Sequence, residues 1–423
     1  MRTASVCIPS LTGIILGLLA CSTSSGPPAH AAAKTIVGIA ITGQPVKVFD
    51  YTKDQQEPDN IPDGQVTAWR EADGTVNLTI PASENYRMRG PDLLHLTIDP
   101  QIIYSSLQSG TQIPENQYNY NHWLMGPYSL DGKTFYSLSH SEWYACLLNG
   151  DCNVNGAYYG NSWVATANDF ISTDGGASWQ LNVAGGNHVA AKPGYYWTGS
   201  LALQDSVYTI GDNHTGVFQP SRVIREGTYF YWIGYFLHRD FTQLNPAQGV
   251  YSAPVDATGY ILMRSADITN PNSWETWEGG GTFEAVADQH YTPFSPIQNG
   301  TSVNSPPPQI IYDTTAQCYI LIHTLYGGSN PVYYMTTKSL ANPSWTNDAT
   351  IGGTAALVTD PGGPVVGFND ANYVSIIDPS SSGYNFEFTG GSPLLFYSTL
   401  PSQYGGVNTA RDLYRVQLTI TYR

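Results

Sequence analysis

The stretch SADITNPNSW, residues 265–274, has a near copy in TKSLANPSW, residues 337–345, which keeps its Asn-Pro and Ser-Trp residues. Each copy follows a run of aromatic and β-branched residues and ends in a tryptophan. A segment that recurs at the same place in successive units is typical of repeat architectures, in which every unit is one supersecondary element. The sequence therefore predicts an array of similar strand units.

Five runs along the chain have the pattern of a β-hairpin: an apolar segment, a small turn and a second aromatic or apolar segment. They are VTAWREADGTVNLTI from Val66, WLMGPYSLDGKTFYSL from Trp123, PSRVIREGTYFYWIGYF from Pro220, PQIIYDTTAQCYILIHTLY from Pro308 and YVSIIDPSSSGYNFEF from Tyr373. Third and fourth strands follow most of these hairpins, and no long stretch repeats with the helical period of about 3.6 residues. We therefore predict an all-β chain of five four-stranded antiparallel units.

The turn Ser172-Thr173-Asp174-Gly175-Gly176-Ala177-Ser178-Trp179 resembles the Asp-box of sialidase-like proteins at its Ser, Asp, Gly and Trp positions. The two copied stretches resemble the S-x-D-L-x-N-P-x-W turns of five-bladed glycosidases. Together they resemble the broad sialidase, arabinanase and levansucrase-like group, without identifying one family. This resemblance implies a five-bladed β-propeller over residues 34–423, in which the Asp-box is structural and its Trp packs between blades.

A propeller must join its ends, and two short strands offer a way to do so. TIVGIAI, residues 35–41, and VQLTITY, residues 416–422, both have strand character. We predict that they pair beside each other and so place the early and late parts of the chain in one blade.

The composition excludes some partners and favours others. Only 12% of the 423 residues are charged, the formal net charge is −16, and 13% are aromatic. Nucleic-acid binding requires clustered cations, so it is excluded. Aromatic faces and neutral polar groups suit a carbohydrate, and we expect a monomer that binds one.

The N-terminus has the pattern of an export signal. Arg2 precedes the apolar run of residues 11–20, which is too short to span a bilayer permanently. Leu18-Leu19-Ala20-Cys21 resembles a bacterial lipobox, whereas the alternative cleavage sites lie near Ala29-His30-Ala31. We read residues 1–20 as a signal peptide and residues 21–33 as a flexible tether. The protein is expected to be exported, either as a lipoprotein in the periplasm or on the cell surface, with a lipid anchor as its only membrane contact, or as a secreted protein.

The cysteines agree with export. Cys146 and Cys152 bracket a short loop, for which we predict a disulfide bond. Cys318 lies in the apolar run CYILIH and is expected to be a buried small hydrophobe. No cysteine spacing resembles a zinc site, and we expect no cofactor; a structural calcium or sodium ion in a central channel has no motif to support it.

In a propeller, the start of each innermost strand and the end of the next strand meet at one mouth. The residues that the hairpin pattern places there are Asp59, Asp63, Glu84, Arg87, His122, Trp123, His140, Glu142, Gln219, Ser221, His238, Arg239, Asp240, Asn304, His323, Tyr326, Asn372 and Glu387. We expect the substrate to contact His122, Trp123, Arg222, His238, Arg239, His323, Tyr326 and Asn372.

Glycoside hydrolysis needs one protonated and one ionised carboxyl group. His140 and Glu142 share a strand face because side chains alternate along a strand. We predict Glu142 as general acid, Asp63 as general base or nucleophile with Asp59 as the close alternative, His140 as a positioning group and Asp240 as a third carboxylate. The structural alternatives are an ion pair of Glu142 with Arg239 or Arg222, and a turn role for Asp63.

Two other function classes stay open at this point. A polysaccharide lyase acting on uronic acids would use a His or Tyr base and a cation, which His122, His140, His323, Tyr326 and Arg239 can supply. A surface lipoprotein that binds glycan without cleaving it would use the aromatic side chains alone.

Overall fold

Strands dominate the computed structural model, which describes residues 32–56, 61–106, 117–144, 153–154, 157–158, 163–193, 215–237, 258–286, 291–294, 308–324, 332–353, 357, 371–399 and 411–423. The α-helical content of these ranges is one turn, α1 (Tyr51–Asp54), and 3-10 turns occur at Ala184–Gly186 and Pro271–Ser273. None of the described helices is long and apolar enough to cross a membrane. The prediction of an all-β chain is confirmed.

The chain begins with two strands that belong to its last sheet, and then builds sheet 1. The N-terminal strands are β1 (Ile36–Ile41) and β2 (Val46–Phe49). Sheet 1 contains β3 (Ala68–Arg70), β4 (Val76–Ile80), β5 (Glu84–Gly90) and β6 (Thr97–Ser105), antiparallel in that order. The turn between β3 and β4 uses Gly74, whose φ of +94° suits glycine.

Sheets 2 and 3 are linked into one hydrogen-bonded array. Sheet 2 contains β7 (His122–Ser129), β8 (Phe135–Tyr144), β11 (Trp163–Ser172), β12 (Gln180–Leu181) and β13 (Val189–Ala191), while β9 (Asn153–Val154) and β10 (Ala157–Tyr158) form a separate short ribbon. Sheet 3 contains β14 (Thr215–Phe218), β15 (Ile224–Glu226), β16 (Tyr229–Leu237), β17 (Thr258–Ser265), β18 (Trp274–Gly279) and β19 (Thr282–Ala285). Strand β14 makes the link, because it pairs with both β11 and β16.

Sheets 4 and 5 complete the chain. Sheet 4 contains β20 (Gln309–Asp313), β21 (Cys318–His323), β22 (Tyr333–Thr337) and β23 (Ala349–Thr350), with β25 (Phe388–Thr389) added beside β20. Sheet 5 contains β24 (Asn372–Ile377), β26 (Leu394–Thr399), β27 (Asp412–Tyr422) and then β1. Ile39 of β1 lies opposite Ile420 of β27, so the predicted pairing of early and late chain is confirmed.

Four of the five predicted hairpins form as expected, and the fifth is wrong. β3–β4, β7–β8, β15–β16 and β20–β21 are antiparallel pairs. In sheet 5 the partner of β24 is β26, not the segment YNFEF. Phe386 in that segment has a φ of +51°, which interrupts an extended strand. Asp378 holds the segment at both sides, accepting from the Ser380 amide and from the Thr389 hydroxyl.

Residues 381–389, which we call the crossing segment, bond to all four other sheets. Ser381 O and Gly383 O accept from the Arg70 guanidinium of sheet 1, and the Asn385 side chain bonds both backbone groups of Ser129 in sheet 2. Phe386 O accepts from Arg222 beside sheet 3, and Glu387 O accepts from the Tyr312 amide of sheet 4. These contacts lie near the turns that join the first two strands of sheets 1 and 2, which we call the turn end. One short segment therefore contacts sheets 1 to 4 at that end.

The turn with Asp-box character has a structural role. Ser172 Oγ accepts from the Gly176 amide at 2.9 Å, and Asp174 Oδ1 accepts from the Ser178 amide at 3.0 Å. Trp179 packs edge-on against Trp69 of sheet 1, with ring centroids 6.4 Å apart. The turn thus fastens sheet 2 to sheet 1 through buried aromatic rings. Cys318 is a buried free thiol, as predicted, whereas Cys146 and Cys152 lie outside the described residues.

Candidate functional site

Strand β8 carries three side chains of the candidate site on one face. His140, Glu142 and Tyr144 alternate with residues of the other face, as the strand period requires. His140 Nε2 lies 2.9 Å from Glu142 Oε1, and the Tyr144 hydroxyl donates to Glu142 Oε2. The exposed fractions of the side chains are 2% for His140 and 13% for Glu142. The carboxylate therefore reaches the surface of a cluster whose base is buried.

The tautomer of His140 follows from its second nitrogen. The backbone N–H of Gln219 donates to Nδ1 at 3.3 Å, so Nδ1 is unprotonated and Nε2–H donates to Glu142. The rings of Trp123 and Phe218 lie on either side, with centroids 5.5 and 5.9 Å from the imidazole. Trp123 is the residue opposite His140 in the β7–β8 pair. Packing and hydrogen bonds thus fix the imidazole, which in turn fixes the carboxylate.

The second carboxylate, Asp63, precedes β3 and has its own set of donors. Its amide bonds Pro81 O, just beyond β4. Arg411 Nη2 lies 2.8 Å from Asp63 Oδ1, and the Tyr373 hydroxyl donates to the same oxygen at 3.1 Å. The Arg411 guanidinium also lies over the Tyr373 ring, 5.1 Å from its centroid. Sheet 1 and sheet 5 together therefore hold one carboxylate that keeps 27% of its side-chain surface exposed.

The two carboxylates interact. Burial raises the pKa of Asp63, and the nearby charge of Glu142 raises it further, whereas Arg411 and hydrogen bonds from Tyr373 and Trp123 oppose the rise. Trp123 contacts both halves of the site, since its indole bonds Asp63 and its ring packs on His140. Trp123 therefore connects the two carboxylates, and the charge of Glu142 acts on the pKa of Asp63.

Arg222 is not a surface residue, which corrects the expectation that it contacts substrate or pairs with Glu142. Its side chain is completely buried. The guanidinium donates to Phe386 O and Ile376 O at 2.6 Å each, and Nε donates to Gln309 Oε1 at 3.3 Å. Gln309 continues to Gln65 at 3.1 Å. Arg222 therefore links the crossing segment to β24 and, through Gln309, to sheet 4.

His122 is also placed away from solvent. It is 0% exposed, and its Nδ1 lies 3.0 Å from the Ser139 hydroxyl. Burial lowers the pKa of His122 to about 3, so the imidazole is neutral and inaccessible. The expectation of a substrate contact from His122 is therefore wrong for this arrangement.

The remaining predicted residues divide between buried positions and undescribed ones. His323 ends β21, pairs with Asp348 Oδ1 at 3.0 Å and stacks on Tyr333, away from the contacts of Asp63 and Glu142. Asn372 begins β24 beside Tyr373 and is 3% exposed. Glu387 belongs to the crossing segment and not to the mouth, where the wrong fifth hairpin placed it. Asp59, His238, Arg239, Asp240, Asn304 and Tyr326 lie outside the described residues.

The sequence did not single out Arg411, Tyr373 or Tyr144 as site residues. Arg411 and Tyr373 are separated from Asp63 by more than 300 positions, and no local pattern relates them. Tyr144 continues the alternation of His140 and Glu142, a signal that was available. Within the described ranges, no three His, Cys, Asp or Glu side chains are grouped as metal ligands would be.

No protein-family model and no curated protein sequence matches this chain. Solved structures similar to it include a GH62 α-L-arabinofuranosidase catalytic domain from Coprinopsis cinerea, with 13% identity, a TM-score of 0.43, and coverage of 90% of this chain and 98% of that one. An α-L-arabinanase mutant from Cellvibrio cellulosa has 10% identity, a TM-score of 0.43 and coverage of 84% and 92%. A xylan β-1,4-xylosidase from Bacillus halodurans C-125 has 12% identity and a TM-score of 0.40; 85% of this chain is covered, but it spans only 56% of that protein.

Proposed function

We propose that residues 34–423 form a five-bladed β-propeller whose blades are the five sheets. The crossing segment supports this arrangement, because this one short stretch between β24 and β26 bonds to sheets 1 to 4. The pairing of β1 with β27 supports it as well, since the outermost strand of the last blade then comes from the start of the domain. Closure of this kind removes exposed sheet edges between the two ends of the chain.

We propose that the protein is a glycoside hydrolase with Asp63 and Glu142 as its two carboxylates. The observation that carries this proposal is the geometry of two carboxyl groups from different sheets that meet at Trp123, each held by its own donors and each partly exposed. Glycoside hydrolysis requires one carboxyl to hold a proton while the other is ionised. The partly exposed rings of Tyr144 and Tyr373 add aromatic surface that suits a sugar.

In this mechanism Glu142 protonates the leaving oxygen. The Tyr144 hydroxyl is compatible with both states of Glu142, because a phenol can donate a hydrogen bond to the carboxylate or accept one from the protonated acid. His140 cannot turn away, since both of its nitrogens are engaged. It therefore acts as the positioning group for Glu142.

Asp63 is then the general base or nucleophile. Arg411, Tyr373 and Trp123 all donate to it, which supports an ionised carboxylate. Burial nevertheless raises its pKa toward the operating range, and a base is most effective when its pKa lies near the working pH. Export, by the lipobox-like sequence at Cys21 or by simple secretion, remains part of the proposal.

A lyase is the less favoured alternative, because its histidine base must be accessible. His122 is completely buried, and both ring nitrogens of His140 are engaged within the protein. A glycan-binding protein without catalysis would not need coupled carboxylates.

Incubation with arabinan, xylan, levan and polygalacturonate, followed by product analysis, tests the proposed activity. A hydrolase releases new reducing ends without an absorbing double bond, and Asp63→Asn should reduce that rate by about 10²- to 10⁴-fold. Asp92→Asn is the matched control, since that carboxylate is half exposed and pairs only locally with His95. Unsaturated uronate products would establish a lyase instead, and retained binding without any product would leave a binding protein.

A further inference from the structure

Gln219 lies beside His140, directly after β14. Its backbone has two unusual features, a φ of +33° and a proline, Pro220, as the next residue. Positive φ is uncommon for residues other than glycine, and such strain concentrates at functional sites. A glycine at this position would relieve the strain, so the glutamine side chain has a cost that some other interaction must offset.

The backbone of Gln219 contacts the candidate site directly. Its N–H bonds His140 Nδ1, and the preceding Phe218 packs on the same imidazole. The strained conformation therefore places the Gln219 backbone against the His140–Glu142 pair. That accounts for the backbone but not for the choice of side chain.

The side-chain carbonyl of Gln219 is the group that lacks a partner among the described residues. Gln219 Oε1 is buried and has no hydrogen-bond partner in the part of the chain that the structure describes. The residue as a whole remains partly exposed. A buried carbonyl without a partner lowers the stability of the folded protein. The terminal torsion of a glutamine is broad, so the amide can turn toward the exposed side.

We propose that Gln219 is a substrate-positioning residue, whose side-chain carbonyl accepts a hydrogen bond from a hydroxyl group of the sugar bound beside Glu142. This inference rests on the proposed function of the same site. Strain and a vacant acceptor in the free protein are then offset when the sugar binds. The hydroxyl group also fixes the sugar relative to the carboxylate that His140 holds.

Gln219→Leu tests the proposal, because leucine keeps the backbone N–H and the approximate size while removing the carbonyl. On the panel polysaccharide that the wild type cleaves, we expect KM to rise about three- to tenfold, the loss of one neutral hydrogen bond. The melting temperature should stay equal or rise, since a vacant buried carbonyl is removed. Gln317→Leu is the matched control: Gln317 has a φ of +49° in the turn between β20 and β21, and KM should not change there.

An unchanged KM in Gln219→Leu overturns the proposal, as does a rise in KM that comes with a lower melting temperature, the result of a purely structural role. If the wild type cleaves no panel member, calorimetric binding of xylohexaose and arabinohexaose replaces KM. Weaker binding by Gln219→Leu then supports Gln219 while the hydrolase fails, and equal binding overturns Gln219 as well. A wild type that neither cleaves nor binds any probe contradicts both proposals.

Discussion

The turn end, where Arg222 contacts the crossing segment, and the candidate site hold charged side chains in opposite ways. Arg222 is fully buried, and its guanidinium donates to three carbonyl oxygens. Asp63 and Glu142 of the candidate site also have several partners, yet they keep 27% and 13% of their side-chain surface exposed. The difference teaches that hydrogen bonding alone does not mark a functional charge. Accessibility is what distinguishes Asp63 and Glu142 from Arg222.

The largest effect on stability is expected from replacing the buried Arg222. Arg222→Met should lower the free energy of unfolding by about 3–5 kcal/mol, because it leaves Phe386 O, Ile376 O and Gln309 Oε1 without their buried donor. Urea denaturation measures this loss. Arg225→Met, an exposed arginine of the same sheet, should change stability by no more than about 0.5 kcal/mol. A stable Arg222→Met that binds sugar poorly would restore the substrate role that the sequence suggested.

The misplacement of Arg222 shows what the sequence could and could not supply. Alternation, turn residues and the copied stretches predicted the strands, four hairpins and the β1–β27 pair, because these depend on local pattern. Whether a charge on a strand faces the centre or the solvent depends on neighbouring sheets. The sequence run around Arg222 contains no sign of Phe386 or Ile376, which supply its acceptors.

The site was predictable in one half only. His140 and Glu142 are two residues apart on one strand, so their contact follows from strand geometry. Asp63 could be chosen by its place before β3, but its partners Arg411 and Tyr373 come from the far end of the chain. The sequence wrongly predicted the crossing segment as the second strand of the fifth hairpin for a related reason. Its contacts are with other sheets and not with β24 as a hairpin partner.

A second buried ionisable group, Asp169, extends the comparison to the pH dependence of stability. Asp169 of sheet 2 is buried and accepts from the Trp274 indole of sheet 3, and burial raises its pKa to about 8. Between about pH 4 and pH 8 the unfolded chain ionises this group while the folded protein keeps it protonated. Stability therefore falls as pH rises through that window, by up to about 1.4 kcal/mol per pH unit from this group.

Asp169→Asn should make that slope shallower and stabilise the protein at pH 8, as thermal unfolding across pH 4 to 8, the window set by burial of Asp169, would show. Asp267→Asn, an exposed turn residue, is the control and should leave the slope unchanged. Equal slopes in wild type and Asp169→Asn would mean that Asp169 is ionised in the folded protein.

The smallest effect is expected at the candidate site, where the charge of Arg411 acts on the pKa of Asp63. The positive charge of Arg411 opposes the raised pKa of Asp63. Arg411→Gln should therefore raise the pKa of Asp63 further and move the acidic limb of kcat/KM to higher pH by about 1 unit. Arg415→Gln, four positions later and within β27, should not move it, since Arg415 bonds Leu93 O and Leu94 O. A limb that stays in place in Arg411→Gln would remove Asp63 from the role of base.

The most direct test of the two-carboxylate site is kcat/KM of Glu142→Gln, measured together with its melting temperature. The substitution keeps the size and the acceptor for His140 but removes the acid, so activity should fall by about 10²- to 10⁴-fold at an unchanged melting temperature. Glu275→Gln, a partly exposed glutamate paired with Arg264, should keep full activity. Full activity in Glu142→Gln, or a loss explained by an equally large drop in melting temperature, would contradict the catalytic role of Glu142.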